Sequence, residues 1–241
     1  MKVESLTKYF GGLAALKDVT FEVAERQIYG FIGPNGAGKT TLFSTIAGSF
    51  PPSSGRVISK GKDVTGTKAH DLVKAGIART HQVVRPFRAM TVLENVQVGL
   101  YFGRKTVSAH SAREQAMEVL NQVGLAQYAN RKASTLSLGE QKKLELARAL
   151  ATDPDLLLCD EICGGLSPTE TQSMLALLAK IREQGKTIMY VEHDVKAIMS
   201  VCDRVMVLNY GQKLAEGKPH EIQQDEAVIE AYLGHRAKRI A

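Results

Sequence analysis

Gly33-Pro34-Asn35-Gly36-Ala37-Gly38-Lys39-Thr40-Thr41 is the stretch on which the reading turns. It follows the apolar run IYGFI (28–32) and leads into LFSTI (42–46), so it reads as a turn from buried strand into helix. Gly33, Gly38, Lys39 and Thr40 satisfy G-x-x-x-x-G-K-[S/T], and the strand–loop–helix setting makes that match informative. Glycines at 36 and 38 let backbone N–H groups wrap an anion, and a helix start adds more of them. Lys39 is predicted to reach the β- and γ-phosphates of a nucleotide and the Thr40 hydroxyl to ligate Mg²⁺. A glycine-rich turn by chance is the alternative, and the flanking elements argue against it.

Outward from this loop, KVESL, DVTFEV and IYGFIG read as strands, and SGRVISKGKDV as a hairpin around Lys60-Gly61. GIARTHQ reads as a short strand ending at Gln82. TVLENVQVGL, SAREQAMEVLNQVGL and SLGEQKKLELARALA then follow as amphipathic helices with no strand between them. In the second, Met117, Leu120, Val123 and Leu125 favour one face. Strand and helix alternate again through DLLLCD, PTETQSMLALLAKIREQ, TIMYVE, DVKAIMSVC and RVMVLN, with QKLAEG after them. Such alternation with near-continuous apolar strands means a parallel sheet covered on both faces. The expected fold is an α/β core at 1–82 and 153–241, mostly parallel with an antiparallel part, interrupted by a helical subdomain at 83–152.

A second helix start poses a question of its own. In STLSLGEQKKLELARAL (134–150), Ser137 precedes the apolar-periodic run and Glu140 stands three places on, a capping-box arrangement. Gly139 permits close approach of the backbone and Gln141 adds an amide. This too is an anion site by type, yet one nucleotide needs only one phosphate cradle. Farther on, LLLCDE delivers Asp160 for a metal and Glu161 to orient or deprotonate an attacking water. Neighbouring carboxylates in a strand point to opposite sides, so the two are expected to do different work.

Bulk properties narrow the classes. The 241 residues are 44% hydrophobic and 23% charged, ordinary for a soluble globular chain. No apolar run reaches the roughly 18–20 residues that span a bilayer, and MKVESLTKYF lacks the apolar centre of a signal peptide. The expectation is a protein inside the cell that reaches a membrane only through a partner. Cys159, Cys163 and Cys202 are an odd number with no clustered ligands, so buried small hydrophobes are favoured over a metal–thiolate site or disulfides. The net charge of +6 is spread out, only the tail GHRAKRIA is locally basic, and no nucleic-acid module accompanies it.

In this combination and order the chain resembles the ATP-binding subunit of an ABC (ATP-binding cassette) transporter, over essentially its whole length. The resemblance implies a P-loop NTPase core with ATP and Mg²⁺ as cofactors, and a head-to-tail dimer with two ATP molecules at the interface. LSLGEQ is similar to the family signature, which implies that Ser137, Gly139, Glu140 and Gln141 meet a nucleotide held by the second ATPase subunit. Phe10, or Tyr9 beside it, resembles the aromatic that stacks on adenine, with plain packing the alternative for either. The resemblance further implies that Gln82 touches metal or water, and that His193 in YVEHD is the switch histidine at the γ-phosphate. GGLSPTE corresponds to the D-loop. Three positions depart from the pattern: Leu138 for a glycine, Ile162 for a frequent proline, and Ser167 for an aspartate.

Within the family, GIARTHQVVRPFRAMTVLENVQVGL, the segment from Glu192 to Ile222, and VIEAYLG are similar to the branched-chain amino-acid and amide importer ATPases. Lipopolysaccharide-export ATPases are similar at the C-terminus and stand as the alternative. A GTPase switch is disfavoured because TKAH (67–70) lacks the aspartate of the guanine-reading motif. A non-transport cassette is disfavoured because the chain carries neither a fused second cassette nor a long coiled coil. The implied partners are transmembrane permease subunits, a second ATPase subunit (the same chain or a sister), and a periplasmic or extracellular solute-binding protein. No nucleic acid is expected, and the place of work is the cytoplasmic face of the membrane. The Gln82 loop and the first helices of the insert around Arg85, Pro86 and Phe87 are the expected docking surface, with core packing of Phe87 the alternative.

Overall fold

Bulges shape the first strands. The computed structural model describes residues 1–81, 84–105 and 107–237. β1 (Lys2–Phe10) and β2 (Leu13–Glu22) pair antiparallel with several register shifts. Ser5 and Asp18 adopt φ of 47° and 52° there, and the side chains of Thr20 and Thr7 accept their N–H groups at 2.8 and 3.0 Å. A bulge advances the side-chain phase by one residue, so Val3 and Leu6 are both buried despite their odd separation. That is why strict alternation reads only the pieces KVESL and DVTFEV of two longer strands. β4 (Ser54–Ser59) and β5 (Lys62–Asp63) complete an antiparallel sheet of order β2-β1-β4-β5. Their turn has positive φ at Lys60 (48°) and Gly61 (73°), the geometry that closes a two-residue hairpin.

The chain's contacts divide it into two compact units, Met1–Ala69 with Thr187–Ala241, and His70–Lys186. In the first, β3 (Ile28–Ile32) lies between two parallel neighbours, β8 (Thr187–Val191) and β9 (Arg204–Asn209). β10 (Gln212–Gly217) pairs antiparallel with β9. All five residues of β3 and all five of β8 are buried, as a strand covered on both faces requires. α1 (Lys39–Ile46) follows β3 through the glycine-rich loop. Phe43 of α1 meets Phe31 of β3 edge-to-face at 5.4 Å, and Phe31 meets Phe21 of β2 at 5.3 Å. This aromatic chain fixes the helix against the sheet and so fixes the loop between them. α7 (Val195–Val201) packs so closely on β3 that a Cβ at Gly30 would stand 2.8 Å from Ile198 and from Cys202. α8 (Pro219–Gln224) and α9 (Glu226–Ala237) end the unit.

The second unit begins its ordered elements with α2 (Ala69–Lys74, the first residue belonging to the other unit), and β6 (Ile77–Arg79) runs parallel to β7 (Leu156–Asp160). Around them lie α3 (Val92–Tyr101), α4 (Ala109–Val123), α5 (Leu138–Ala151) and α6 (Pro168–Glu183). The helical segment read at 83–152 falls wholly inside this unit, which also takes in β6, β7 and α6. α4 buries Ala112, Ala116, Leu120 and Val123, while Met117 is only half-buried. Cys159, Cys163 and Cys202 are buried and in no disulfide, and burial pushes the Cys202 thiol well up. Among the described residues, no helix is long and apolar enough to cross a membrane.

Three helices of the second unit start with the same device. Thr91, Ser137 and Ser167 cap α3, α5 and α6, and Glu94, Glu140 and Glu170 return the bond. Backbone N–H groups hold the Glu94 and Glu170 carboxyls below the ordinary glutamate range. Burial pushes Glu140 up, but hydrogen bonds from the Ser137 N–H and the Tyr128 hydroxyl overcome it and bring it down. Asp153, hydrogen-bonded by Lys105 and Lys186, is lowered to about 2. A carboxylate lowered in the folded state stabilises fully above its unfolded value and loses that contribution as pH falls through the folded one. The melting temperature is therefore expected to hold down to about pH 5 and to fall from there toward about pH 2. Glu94→Gln should shallow that fall in a thermal scan against pH.

Candidate functional site

The first unit carries the glycine-rich loop that the sequence motif assigns to phosphate. A Cβ at Gly33 (φ 150°) would stand 2.1 Å from the Leu208 carbonyl oxygen, and one at Gly38 (φ 101°) 2.6 Å from that of Ala15. Only glycine fits at either position. Pro34 accepts the Ala37 N–H at 3.1 Å to turn the loop, Ala37 is buried, and Asn35 and Gly36 are exposed at its rim. Gly38 begins α1 with no side-chain cap and no acidic residue in the first turn. The N–H groups of that turn fit an anion and would meet no competing carboxylate. Lys39 is buried, and its Nζ donates to the carbonyls of Gly33 (2.6 Å) and Pro34 (3.1 Å). Its ammonium is thereby held inside the loop it is expected to serve. Thr40 is exposed and Thr41 half-buried at the helix start.

In the same unit, Phe10 and Tyr9 are about equally exposed. Phe10 packs edge-on against Phe50 at 5.3 Å with the Lys8 ammonium 5.2 Å from its ring. The Tyr9 N–H bonds to Ser53 Oγ. Phe10 thus offers a ring held from one side, and Tyr9 remains open as the other candidate. His193 is exposed in the loop between β8 and α7, just before Asp194 caps α7. Tyr232 of α9 went unread in the sequence: burial raises its hydroxyl, and a hydrogen bond with the Gly33 backbone partly lowers it again.

The second unit carries the carboxylates and the second helix start. Asp160 ends β7 almost fully buried, and Arg79 at the end of β6 donates to its Oδ2 at 2.6 Å. Oδ1 is buried with no hydrogen-bond partner. A buried carboxylate oxygen left open beside a satisfied one fits a cation, and so fits Mg²⁺. Arg79 was not singled out in the sequence, because only the β6–β7 register brings it to Asp160. Strand structure stops at Asp160, and Glu161 leaves it with φ 49°. Its direction is thus set by a left-handed turn rather than by strand alternation. Proline at 162 would press the preceding residue toward extended backbone, whereas Ile162 is buried and leaves Glu161 free to turn.

At the start of α5, Ser137 Oγ accepts the Glu140 N–H at 3.3 Å and the Glu140 carboxylate accepts the Ser137 N–H at 2.8 Å. Gln141 donates to the Leu136 carbonyl. These two side chains complete the local backbone, and the Ser137 hydroxyl also hydrogen-bonds the Glu140 carboxylate. Leu138 is the first helical residue, does not have positive φ, and is exposed. A Cβ at Gly139 would lie 2.4 Å from Glu170 Oε1, so a side chain there would require the Glu170 carboxylate to shift. Ser167 caps α6 by accepting the Glu170 N–H on its Oγ at 3.3 Å, a role an aspartate could also fill. Gln82 lies outside the described residues.

A cavity of about 470 Å³ opens in this unit, lined by His70, Arg79, His81, Phe102, Glu145 and Arg148 among others. Phe87 stands 4.7 Å from the Arg148 guanidinium carbon and is 42% exposed. Asn95 accepts its N–H at 2.8 Å, and Arg148 donates to the Arg85 carbonyl at 3.1 Å. Its exposure argues against plain core packing.

The family model described as "ABC transporter" matches residues 16–164, and one described as "Branched-chain amino acid ATP-binding cassette transporter" matches 212–238. The chain is 40% identical to the high-affinity branched-chain amino acid transport ATP-binding protein BraF of Pseudomonas aeruginosa, over 97% of each chain. It is 31% identical to the lipopolysaccharide export system ATP-binding protein LptB of Haemophilus influenzae, over 99% of this chain and 98% of that one. Its fold is similar to a dimeric post-hydrolysis ATP-binding cassette, MJ0796, bound to ADP and Pi, with a TM-score of 0.80 and 30% identity over 90% of this chain and 98% of that one.

The Arg79–Asp160 pair predicts a stability effect. Removing one partner of a buried pair leaves the other charge uncompensated, at a cost of about 3–5 kcal/mol. Arg79→Met should lower the unfolding free energy in urea by that order, and adding Asp160→Asn should recover much of it. A loss under about 1 kcal/mol would mean the pair behaves as a solvated one.

Proposed function

Because this chain belongs to the ABC transporter family, we propose that it is the ATP-hydrolysing subunit of an importer of branched-chain amino acids or related amides. The observation that carries the ATPase part is the phosphate loop, whose glycines exclude side chains and whose helix start is uncapped. The cargo follows from the branched-chain match at 212–238, and a lipopolysaccharide exporter is the outcome that would replace it.

In this reading Lys39 exchanges the Gly33 and Pro34 carbonyls for the β- and γ-phosphates, and the α1 N–H groups hold the same anion. Phe10 stacks on the adenine. Thr40, Asp160 and Gln82 are the residues assigned to Mg²⁺, which when bound neutralises charge on the transferring phosphoryl group. Glu161 orients or deprotonates water, and His193 meets the γ-phosphate. Ser137 and Gly139 serve a nucleotide held by a second ATPase subunit, which answers why one chain has two anion-binding helix starts. The work passes to transmembrane permease subunits at the cytoplasmic face, through Phe87 and the cavity beside Arg148. A solute-binding protein completes the system.

Glu161→Gln should retain ATP binding by calorimetry yet lower steady-state turnover by at least about a hundredfold. Near-normal turnover would remove Glu161 from the reaction. Phe87→Ala should leave the free subunit's hydrolysis largely intact and uncouple it from amino-acid uptake in vesicles reconstituted with the permease. Hydrolysis stimulated only by a lipopolysaccharide-extracting partner would replace the import reading and keep the ATPase.

A further inference from the structure

Lys142 lies in α5, one turn past Gly139, and its side chain is buried: the residue is 4% exposed. A buried ammonium must be hydrogen-bonded to be tolerated, and its Nζ donates to the backbone carbonyl oxygen of Glu161 at 2.9 Å. The same carbonyl accepts the Gly164 N–H at 3.2 Å. A Cβ on Gly164 would come within 3.3 Å of that oxygen and 3.9 Å of the Lys142 Nζ, so the turn approaches the ammonium closely. Glu161 meanwhile holds φ at 49°, a conformation that a residue with a side chain keeps only where its surroundings fix it. Leu138, at the tip of α5, reaches the same turn, 3.1 Å from where a Gly165 Cβ would be.

We propose that Lys142 is a positioning residue for Glu161, and that through this bond the helix carrying Ser137 and Gly139 sets the aim of the Glu161 carboxylate. The helix start that reads one nucleotide is then tied, inside a single chain, to the carboxylate that acts on another. A shift of α5 on meeting a partner's phosphate moves the Glu161 turn with it. The inference rests on the proposed role of Glu161.

Lys142→Met keeps the stem and removes the donor. It should lower kcat about 10- to 100-fold, the range a displacement of about 1 Å produces, while ATP affinity measured by calorimetry changes less than about twofold. Lys142→Arg, which restores a donor, should recover kcat to within about threefold. In the Glu161→Gln background Lys142→Met should cause no further loss of residual turnover, because Lys142 acts through that carboxylate. Lys142→Leu, which also lacks a donor, takes the same place in the scheme if the Met variant does not fold. Unchanged kcat in Lys142→Met, or the same fold loss with and without Glu161→Gln, would overturn the proposal. A fully active Glu161→Gln would instead overturn the role of Glu161.

Discussion

Backbone N–H groups can hold a phosphate only where no side chain stands between them and the anion. That constraint governs the first unit. Gly33 and Gly38 press against the carbonyls of Leu208 and Ala15, so the strand after α7 and the second strand of the antiparallel sheet both form the loop's outer wall. The contact of Phe43 on Phe31 then sets the tilt of the helix that the loop begins. Lys39 completes the arrangement. Buried and bonded to two loop carbonyls, its charge is already desolvated and aimed, so meeting an anion there needs an exchange of partners rather than a search.

The second unit solves the opposite problem, that of placing carboxylates without losing them to their neighbours. Asp160 has one oxygen paired with Arg79 and the other open. Glu161, next in the chain, leaves the strand through a left-handed backbone. Three capping boxes close three helix starts with glutamates. Of these, α5 alone has a glycine in its first turn, and there the space above the backbone is shared with Glu170.

Much of this was legible in the sequence, because the decisive features are local. A phosphate loop is one turn of chain, and so is a capping box: Ser137 and Glu140 are paired as their spacing predicts. The hairpin at Lys60-Gly61 is local in the same way. Period-two alternation failed where bulges at Ser5 and Asp18 changed its phase, and α2 is too short for any periodicity to declare itself. Arg79 and Lys142 could not be read at all. In sequence each is one basic residue among 31, and its meaning comes from strand register in one case and from a turn 19 residues away in the other. Strand alternation does not reach Glu161, which lies one residue past the end of β7.

The account's central claim is that the two anion-binding helix starts serve nucleotides held by two different chains. Leu138 offers the most direct test, being exposed at the first position of α5, where an acidic residue favours the helix but would repel an arriving phosphate. The measurement is sedimentation of Glu161→Gln protein with MgATP, with and without Leu138→Asp, alongside calorimetry of ATP binding to the single subunit. The account predicts an ATP-dependent dimer for Glu161→Gln, its loss on adding Leu138→Asp, and unchanged ATP affinity of the single subunit. Equal dimerisation in both proteins, or loss of ATP binding by the single subunit, would contradict it.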